Sequence, residues 1–388
     1  MTYHILIAGA GGIGSAVGLI LAENNSFDVR IQIGDIHTEA AKKAAEWINE
    51  GCNAAIAQGF TMPKEGSNEE MDKVLNQCDI ILDCLPGSQA PRMARLASQH
   101  GLHYANLTEY VKETNEVIAI AEKSDKGFVL QAGLAPGFIN VLGHQLFQQF
   151  TKKHKVDKVE RLEMKVGALT RHAQAPHFYG FTWSPVGVAT EYLKDCVAVR
   201  DHKKTLLSPL SELNTIIIDG VTYEDNLTSG GAADLPDAFA DKVRNLDYKT
   251  LRYPGHYEWV RKILSEEPVG KNAIDYLQDV MQNTIPSVED DVVIVYASVE
   301  GKDHKGVLRG LQASYRIEPT FVGTKKLRAI QTTTAAPLAE VARMLLTGDW
   351  KGPVFQSQLD IEAFMNGPFV SAIYGSGKAK RTHSAAAS

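Results

Sequence analysis

Six residues near the amino terminus, Gly9-Ala10-Gly11-Gly12-Ile13-Gly14, fit the pattern Gly-x-Gly-x-x-Gly. An apolar run typical of a strand precedes them, a proline-free helical pattern follows, and Asp35 ends the next apolar run. In this context Gly9 permits a tight turn, Gly11 lets the backbone approach a diphosphate, and Gly14 lets the helix pack closely on the strand. The helix start offers unpaired N–H groups and a partial positive charge to phosphate oxygens. The predicted dinucleotide-binding residues are Gly9, Gly11, Gly12, Ile13, Gly14 and Asp35.

Asp35 is the residue that discriminates between nicotinamide dinucleotides. Its carboxylate can accept hydrogen bonds from both hydroxyls of an adenosine ribose, and it repels a 2′-phosphate. NAD is therefore favoured over NADP, although His37 or Lys42 is placed to soften that preference. Two alternatives stay open: a glycine-rich turn with no ligand, and FAD, whose domains use the same glycine pattern. The expected two-domain organisation and the absence of a second such loop in the sequence favour a nicotinamide dinucleotide.

A second part of this site is predicted at the end of a later apolar run, in the sequence Asp83-Cys84-Leu85-Pro86-Gly87. By position this is the fourth strand of the fold, whose carboxyl end borders the nicotinamide half of the site. Pro86 and Gly87 turn the chain there without a bulky side chain. We interpret Cys84 as a small buried apolar residue with no catalytic role. Leu85 and Pro86 are therefore added to the predicted cofactor contacts.

The elements that must position these residues follow from the alternation of short apolar runs and helical patterns between Tyr3 and about Gly133. The predicted strands are Ile5 to Ala8, Val29 to Ile33, Ile80 to Leu85, His103 to Leu107 and Phe128 to Gln131. The predicted helices, with apolar residues three and four positions apart, are Ser15 to Glu23, Thr38 to Asn49, Pro91 to His100 and Val117 to Lys126. This alternation predicts an α/β domain of the Rossmann type, a doubly wound parallel sheet, in residues 1–135.

The pattern changes after the glycine- and proline-containing stretch that ends at Gly137. The strands predicted beyond it are longer and rich in β-branched residues: Val159 to Val166, Thr215 to Ile218, Val292 to Glu300 and Val307 to Glu318. The polar loop between the last two predicts an antiparallel hairpin. We therefore predict a second, α+β domain with a mixed or antiparallel sheet in residues 136–329. Ala336 to Leu346 predicts an apolar helix, and residues 376–388 predict a flexible tail.

The composition of the 388 residues fits a globular protein of two domains. Apolar residues make up 44% and charged residues 22%, which excludes disordered, collagen-like and coiled-coil classes. The formal net charge of -6 provides no basic field for a phosphate backbone, so nucleic acid is not an expected partner. Four cysteines without a Cys-x-x-Cys pair, no apolar run of membrane-spanning length and no signal-peptide pattern predict an unprocessed cytoplasmic protein without a membrane partner.

Three further stretches carry a family resemblance, in this order along the chain: Gly133 to Asn140, Tyr179 to Gly187 with its Trp-Ser-Pro-x-Gly, and Thr250 to His256 with its Leu-Arg-Tyr-Pro-Gly-His. Together with the glycine loop they resemble the saccharopine dehydrogenase family over nearly the whole chain. The resemblance implies an oxidoreductase that oxidises a C–N bond with NAD(P) or reduces an imine. It also implies that the second domain binds substrate and forms a homodimer interface, and that residues 330–375 fold back onto the nucleotide domain.

Two positions depart from the saccharopine reductase pattern of that family. Ala135 stands where the pattern has Asp, and Val186 stands where it has Arg. The missing arginine removes a bidentate clamp for one carboxylate. The departures imply a smaller substrate than saccharopine, and Thr250 to His256 is also closer to the lysine ε-dehydrogenase branch.

Oxidation of an amine by hydride transfer requires a base. A protonated amine has no lone pair with which to stabilise the developing iminium, so a side chain must take that proton and can later activate water. Glu109 and Tyr110 follow the predicted fifth strand, and His177 and His256 are further candidates. The resemblance favours Tyr110, because saccharopine reductases carry a tyrosine near this position, with Glu109 next. Packing of Tyr110 and solvation of Glu109 are the structural alternatives.

An amino-acid substrate also needs a partner for its carboxylate, most naturally an arginine. We predict Arg252 for this role, with His256 as a polar partner, and a structural ion pair is the alternative for Arg252. Tyr179 and Trp183 are predicted to wall the apolar part of the substrate, unless they fill a core or an interface.

The glycine loop and Asp35 thus predict a protein that uses NAD, less favourably NADP, and the resemblance implies a dehydrogenase that acts on the CH–NH or CH–NH2 group of an amino acid. The resemblance implies L-lysine ε-deamination or saccharopine cleavage or formation. Two alternatives remain: a carboxynorspermidine-type imine reductase, and a non-catalytic NAD-binding protein, which Ala135 in place of Asp favours. No metal is predicted, because His172 and His177 lack the helical spacing of metal ligands.

Overall fold

The computed structural model describes residues 1–108, 111–268 and 272–375, which form two compact units. The first unit comprises Met1–Phe138, Thr320–Leu327 and the chain from Gln331 to the end of the described part. The second comprises Ile139–Pro319 and Arg328–Ile330. The candidate bases Glu109 and Tyr110 and the predicted tail, residues 376–388, lie outside the described residues.

Parallel strands alternate with helices in the amino-terminal part of the first unit. The strands are β1 (Tyr3–Ala8), β2 (Val29–Asp35), β3 (Ala57–Thr61), β4 (Ile80–Asp83), β5 (His103–Asn106) and β6 (Gly127–Val129). The helices are α1 (Gly12–Ala22), α2 (Thr38–Cys52), α3 (Glu69–Leu75), α4 (Ala90–His100) and α5 (Val111–Ala121). The strand order β6-β5-β4-β1-β2-β3 changes direction at β1 and β4. Their carboxyl ends therefore flank the crevice where doubly wound sheets bind ligands. The predicted Rossmann fold is confirmed.

The central strands are continuous apolar runs because side chains on both faces of the sheet are buried. Ile5, Leu6 and Ile7 of β1 are 0% exposed, as are Ile80 to Leu82 of β4. Strand β3 has no such run and no sequence pattern predicts it. It pairs only with β2 at the sheet edge. A Cβ on its Gly59 would overlap the backbone of Ala41 in α2, so a glycine interrupts the strand pattern where helix and strand pack closely.

The second unit is built on a mixed sheet. Its helices are α6 (Phe138–His154), α7 (Pro185–Glu191), α8 (Leu235–Phe239), α9 (His256–Ser265) and α10 (Ala273–Thr284). Its strands are β7 (Val159–Thr170), β8 (Cys196–Arg200), β9 (Lys203–Leu207), β10 (Asn214–Ile218), β11 (Val221–Leu227), β12 (Val243–Arg252), β13 (Asp291–Lys302) and β14 (Leu308–Ile317). The main order is β10-β11-β12-β7-β13-β14, with the β8–β9 hairpin joined to β12. Strands β7 and β12 are parallel and the other pairs are antiparallel. The predicted mixed sheet and the β13–β14 hairpin are both confirmed.

Strand β12 carries charged residues where a buried strand is expected to be apolar, and no sequence pattern predicts it. Lys249 is 3% exposed, and its Nζ lies 3.4 Å from carboxylate oxygens of Asp225 and Glu212. Asp247 forms an ion pair with Arg200, whose Nη2 lies 2.8 Å from Oδ2 of the aspartate. Pairing of this kind offsets the cost of burying charge. The strand therefore forms although its sequence is polar.

The remaining carboxy-terminal elements belong mostly to the first unit. They are β15 (Thr320–Val322), β16 (Lys325–Leu327), α11 (Ala329–Thr347), β17 (Gly352–Val354), α12 (Ile361–Met365) and α13 (Pro368–Tyr374). Strand β17 pairs in parallel with β6, so the first sheet has seven strands. In the parts of the chain that the structure describes, none of the helices combines the length and apolar character needed to cross a bilayer.

Candidate functional site

The glycine loop connects β1 to α1, and the absence of a side chain serves a different physical purpose at Gly9, Gly11 and Gly14. Gly9 has a φ of 104°, and a Cβ there would lie 3.0 Å from the carbonyl oxygen of Cys84. A Cβ on Gly14 would overlap the carbonyl oxygen of Gly9. A Cβ on Gly11 would meet no atom within 4 Å. Packing within the unit therefore explains Gly9 and Gly14, whereas the open space beside Gly11 is what the approach of a diphosphate requires.

The first turn of α1 is arranged to receive an anion. Gly11 is the N-cap residue with an extended backbone, and no acidic side chain lies in the first turn. The N–H groups at the start of a helix have no acceptor within the helix, and the helix dipole gives them a partial positive charge. With no carboxylate of this turn competing, the loop can bind phosphate oxygens through its backbone.

Asp35 lies at the carboxyl end of β2 and contacts the glycine loop directly. Its Oδ2 accepts a hydrogen bond from the N–H of Ala10 at 3.1 Å, and its Oδ1 accepts one from the N–H of His37 at 3.0 Å. A carboxylate oxygen can accept more than one hydrogen bond, so both oxygens retain acceptor capacity for ribose hydroxyls. Asp35 is thus oriented by the same loop that is placed to hold the phosphates.

Leu85 lies on the other side of the glycine loop, at the end of β4. The N–H of Cys84 donates to the carbonyl of Ala8 at 2.8 Å, and a methyl carbon of Leu85 lies 3.3 Å from the position of a Cβ on Gly9. Pro86 then turns the chain, and its carbonyl accepts from the N–H of Gln89. Burial raises the pKa of the Cys84 thiol, so it stays protonated and unreactive. The fold therefore brings Leu85, Asp35 and the glycine loop together.

Gln331, in the first turn of α11, contributes a contact that the sequence does not signal. Its Nε2 donates a hydrogen bond of 3.0 Å to the carbonyl of Gly12 in the first turn of α1. The two residues are far apart in the sequence, and Gln331 belongs to no motif. Only the fold shows that a carboxy-terminal side chain supports the glycine loop.

In the second unit, Arg252 lies among aromatic side chains. Its Nε donates to the hydroxyl of Tyr192 at 2.6 Å, and its Nη1 donates to the carbonyl of Leu251 at 2.9 Å. Its Cζ lies 4.7 Å from the ring centroid of Tyr179, within cation–π range. The ring centroids of Tyr179 and His256 are 5.1 Å apart. The structure thus brings together Arg252, His256 and Tyr179, and it adds Tyr192, which sequence reasoning missed.

A directed chain of hydrogen bonds runs through this cluster. Nδ1 of His256 lies 2.6 Å from the carbonyl of His177, which can only accept, so Nδ1 carries the proton. Nε2 of His256 is then the acceptor for the hydroxyl of Tyr192 at 3.0 Å. Burial, reinforced by the charge of Arg252, lowers the pKa of His256 to about 3. His256 is therefore neutral near pH 7, and the order of donation is Arg252 to Tyr192 to His256 to His177.

Beside this chain lie polar atoms without partners. The hydroxyls of Tyr179 and Thr182 are both buried; they lie close enough to interact with each other, but neither has a hydrogen-bond partner of standard geometry within the described part of the chain. Nη2 of Arg252 also makes no hydrogen bond there, since the two hydrogen bonds of this side chain come from Nε and Nη1. Buried polar groups are normally paired. Two buried hydroxyls and a guanidinium nitrogen that donates no hydrogen bond within the described residues are suited to a polar ligand such as a carboxylate.

Trp183 has a local structural role. Ser184 caps α7 by accepting from the N–H of Gly187 at 3.4 Å, and Pro185 is the first residue of that helix. A Cβ on Gly187 would overlap the ring of Trp183. The Trp-Ser-Pro-x-Gly stretch is therefore explained by helix capping and close packing. Trp183 packs against the same apolar cluster as Tyr179.

His256 makes a testable contribution to the pH dependence of stability. Its folded-state pKa of about 3 lies below its ordinary value of 6.5, so unfolding takes up a proton below pH 6.5. The free energy of unfolding should fall by about 1.4 kcal/mol per pH unit between those two values. Urea unfolding at pH 8 and pH 5 should therefore show about 2 kcal/mol more acid destabilisation in the native protein than in His256→Gln.

The matched control is His172→Gln, because the side chain of His172 is 77% exposed. This change should leave the pH dependence as in the native protein. Other buried histidines contribute equally to all three proteins and cancel in the comparison. Equal acid destabilisation of the native protein and His256→Gln would contradict a neutral His256. If His256→Gln does not fold, nitrogen NMR of the native protein at pH 5 still reports whether the ring of His256 is neutral.

Within residues 1–108, 111–268 and 272–375 no group of three or more His, Cys, Asp or Glu side chains could hold a metal ion. His172 lies at the surface, 3.4 Å from Asp290. His177 contacts the cluster around Arg252 through its carbonyl, which accepts from His256, and through its Nδ1, which accepts the N–H of Tyr179 at 3.4 Å. The candidate bases Glu109 and Tyr110 are not among the described residues, so their role stays a prediction.

Two family models match the chain. Residues 5–130 match the saccharopine dehydrogenase NADP binding domain, and residues 133–373 match the saccharopine dehydrogenase C-terminal domain. The first match includes the glycine loop and Asp35, and the second includes the cluster around Arg252.

Two solved structures share the fold over nearly their whole length. Apo saccharopine dehydrogenase (L-Glu forming) from Saccharomyces cerevisiae aligns with a TM-score of 0.73 at 14% identity, over 94% of this chain and 96% of that chain. Homospermidine synthase from Legionella pneumophila, in complex with NAD, aligns with a TM-score of 0.70 at 12% identity, over 98% of this chain and 91% of that chain. At these identities the similarity concerns the fold.

Proposed function

This chain belongs to the saccharopine dehydrogenase family of NAD(P)-binding oxidoreductases, and on that premise we propose that it is an NAD-dependent dehydrogenase acting on the C–N bond of an amino acid. L-lysine ε-deamination and saccharopine cleavage or formation are the proposed reactions. The observation that carries the proposal is the glycine loop with Asp35 hydrogen bonded to it. Residues 1–135 with 330–375 are proposed as the nucleotide domain, and residues 136–329 as the substrate domain.

The preference for NAD rests on the surroundings of Asp35. The residue after it, Ile36, is apolar and 48% exposed, and it offers no charge to a 2′-phosphate. Lys42 lies 3.8 Å from Glu39, which partly neutralises the lysine. A protein of the same fold, homospermidine synthase from Legionella pneumophila, was solved with NAD. These observations support NAD, although the matching family model is named for NADP.

The substrate carboxylate is proposed to bind in the cluster around Arg252. Nη2 of Arg252 makes no hydrogen bond within the described residues, and the buried hydroxyls of Tyr179 and Thr182 can each donate to a ligand, so the two oxygens of a carboxylate are suitable acceptors. Tyr192 and the carbonyl of Leu251 hold the guanidinium in place. His256 stays neutral, so it adds no charge but fixes the Tyr192 hydroxyl. Tyr179 and Trp183 supply apolar surface for the rest of the substrate.

The proposed chemistry needs a side chain of the protein that accepts a proton from the substrate amine. The bound nicotinamide supplies the hydride acceptor. Tyr110, with Glu109 as the alternative, is proposed to take the proton of the substrate amine, because only the neutral amine can stabilise the positive charge that develops at carbon. After it has released that proton to solvent, the same side chain can deprotonate the water that hydrolyses the imine.

The test is an activity screen of the purified protein with NAD and NADP against L-lysine, saccharopine and a panel of other amino acids. Reduction of NAD with L-lysine or saccharopine is the expected result. NADH consumption only with imine conjugates of the carboxynorspermidine type would overturn the proposal in favour of a polyamine-precursor reductase. Binding of NAD without turnover on any substrate would overturn it in favour of a non-catalytic protein.

We also propose that the protein is a cytoplasmic homodimer whose partner is a small-molecule amino-acid substrate. All four cysteines are free thiols, which supports a reducing compartment. The dimer interface is proposed in the second domain because family resemblance implies it there. Light scattering of the purified protein checks the dimer.

A further inference from the structure

A buried polar network lies at the carboxyl ends of β4, β5 and β6, apart from the residues assigned above. Its members are Asp83, Tyr104 and Asn106, which are 3%, 0% and 1% exposed. Asp83 ends β4, Asn106 ends β5 and Tyr104 lies within β5, and the carboxyl ends of these strands border the ligand crevice of a doubly wound sheet. The surrounding core of the unit is apolar, so three polar side chains in it need a reason.

The network begins at the loop after β4. Oδ1 of Asp83 accepts the N–H of Leu85 at 3.0 Å, and its Oδ2 accepts the hydroxyl of Tyr104 at 2.7 Å. The oxygen of that hydroxyl accepts Nδ2 of Asn106 at 3.3 Å. Asp83 therefore fixes the backbone of Leu85, the residue that lies beside the glycine loop.

The network ends at the loop after β6. Oδ1 of Asn106 accepts the N–H of Gln131 at 2.9 Å, and the Asn106 carbonyl accepts the N–H of Ala132 at 2.8 Å. Gln131 has a φ of 63°, a left-handed conformation that a glutamine rarely adopts. The hydrogen bond that the Gln131 N–H donates to Asn106 stabilises this conformation. One chain of hydrogen bonds thus connects the loops after β4 and β6.

Stability alone is a poor explanation for this arrangement. Burial raises the pKa of Asp83 to about 6, against the lowering effects of the Tyr104 hydroxyl, the Leu85 N–H and the charge of Arg92. Folding therefore buries an ionised carboxylate near pH 7 at a net cost, which a hydrophobic residue would avoid. Costly polar groups of this kind are retained where they determine a geometry.

We infer that Asp83 and Tyr104 are positioning residues that hold the loops after β4 and β6 in the conformation that binds the nicotinamide half of the nucleotide. The inference rests on the proposed function, since it assumes a nicotinamide nucleotide on the glycine loop. Neither side chain contacts the reacting atoms. Both act through the backbone of Leu85 and Gln131.

The experiment measures NADH affinity by fluorescence titration of the native protein and of Tyr104→Phe. Phenylalanine keeps the ring and removes only the hydroxyl that connects Asp83 to Asn106. A rise of about tenfold in the Kd for NADH is expected, together with a higher KM for the nucleotide and an unchanged KM for the second substrate. A merely structural role would lower the melting temperature and leave the Kd unchanged.

Tyr257→Phe is the matched control. Tyr257 is also fully buried, and its hydroxyl donates to the carbonyl of Thr250 in the second unit. Its loss should lower stability to a similar extent without changing the Kd for NADH. A Tyr104→Phe protein that loses stability as Tyr257→Phe does, but binds NADH as tightly as the native protein, overturns the inference.

Asp83→Asn keeps the test decisive if Tyr104→Phe does not fold. The amide retains an acceptor for the Leu85 N–H, and the Tyr104 hydroxyl can turn to the carbonyl of Ala90, 3.3 Å away. Removal of the buried charge should preserve folding, while the broken connection should raise the Kd for NADH several-fold. An unchanged Kd in Asp83→Asn overturns the inference. If the native protein itself does not bind NADH, the proposed function fails first.

Discussion

Replacing Asp35 by asparagine is expected to shift the affinity ratio of NADH to NADPH by about a hundredfold toward NADPH. The change removes the charge that is proposed to accept two ribose hydroxyls and to repel a 2′-phosphate. An asparagine keeps the size of the side chain and one oxygen for the N–H groups of Ala10 or His37, so the glycine loop retains part of its support. Fluorescence titration with both reduced nucleotides measures the ratio.

Asp79→Asn is the control for this experiment. Asp79 is likewise an aspartate that accepts a backbone N–H, from His4 at 2.8 Å, but it precedes β4 at the amino end of the sheet. Its replacement should leave the ratio of affinities unchanged. A native protein that binds NADPH more tightly than NADH, or an Asp35→Asn protein with the native ratio, would contradict the proposed role of Asp35.

Replacing Arg252 by methionine is expected to lower kcat/KM for the amino-acid substrate by about a thousandfold, with the Kd for NADH unchanged. The methionine removes the guanidinium proposed to pair with the substrate carboxylate, while the buried carboxylate of Glu191, which interacts with Arg252, remains. Arg252→Lys keeps a charge but not the fork geometry or the bond to Tyr192, and it should lose about tenfold or more. Steady-state kinetics with the substrate found in the activity screen measures both values.

A purely structural role for Arg252 predicts a different result. Arg200→Met is the comparison, since Arg200 lies in the same unit and pairs with Glu212 at 2.9 Å and Asp247 at 2.8 Å. Its loss leaves the carboxylate of Asp247 buried without its partner and should lower the melting temperature, while the KM for substrate stays as in the native protein. If Arg252→Met behaves in the same way, Arg252 stabilises the fold and does not bind substrate.

Local sequence patterns predict the parts of this molecule whose physical causes are local. The glycine loop is recognisable because Gly9 and Gly14 are dictated by the turn and by the approach of α1 to β1. The central strands are recognisable because they are buried on both faces and therefore apolar throughout. The β13–β14 hairpin follows from two β-branched runs around a polar loop.

Other features depend on partners that are distant in the sequence. Strand β12 is polar, and only its pairing with Asp225, Glu212 and Arg200 makes its burial acceptable. Tyr192 and Gln331 belong to no motif, and their partners lie on other elements. The same holds for the network of Asp83, whose hydrogen bonds join three strand ends. Such contacts become visible only when the chain is folded.

The pairing of β17 with β6 has a consequence for biosynthesis. The register joins Gly352 to Gly127, so the outermost strand of the first sheet is translated long after its neighbour. While the ribosome makes the intervening second unit, β6 presents an unpaired edge to other nascent chains. The sheet of the first unit is therefore complete only once translation has passed Val354, and a messenger that stops earlier would yield an aggregation-prone product.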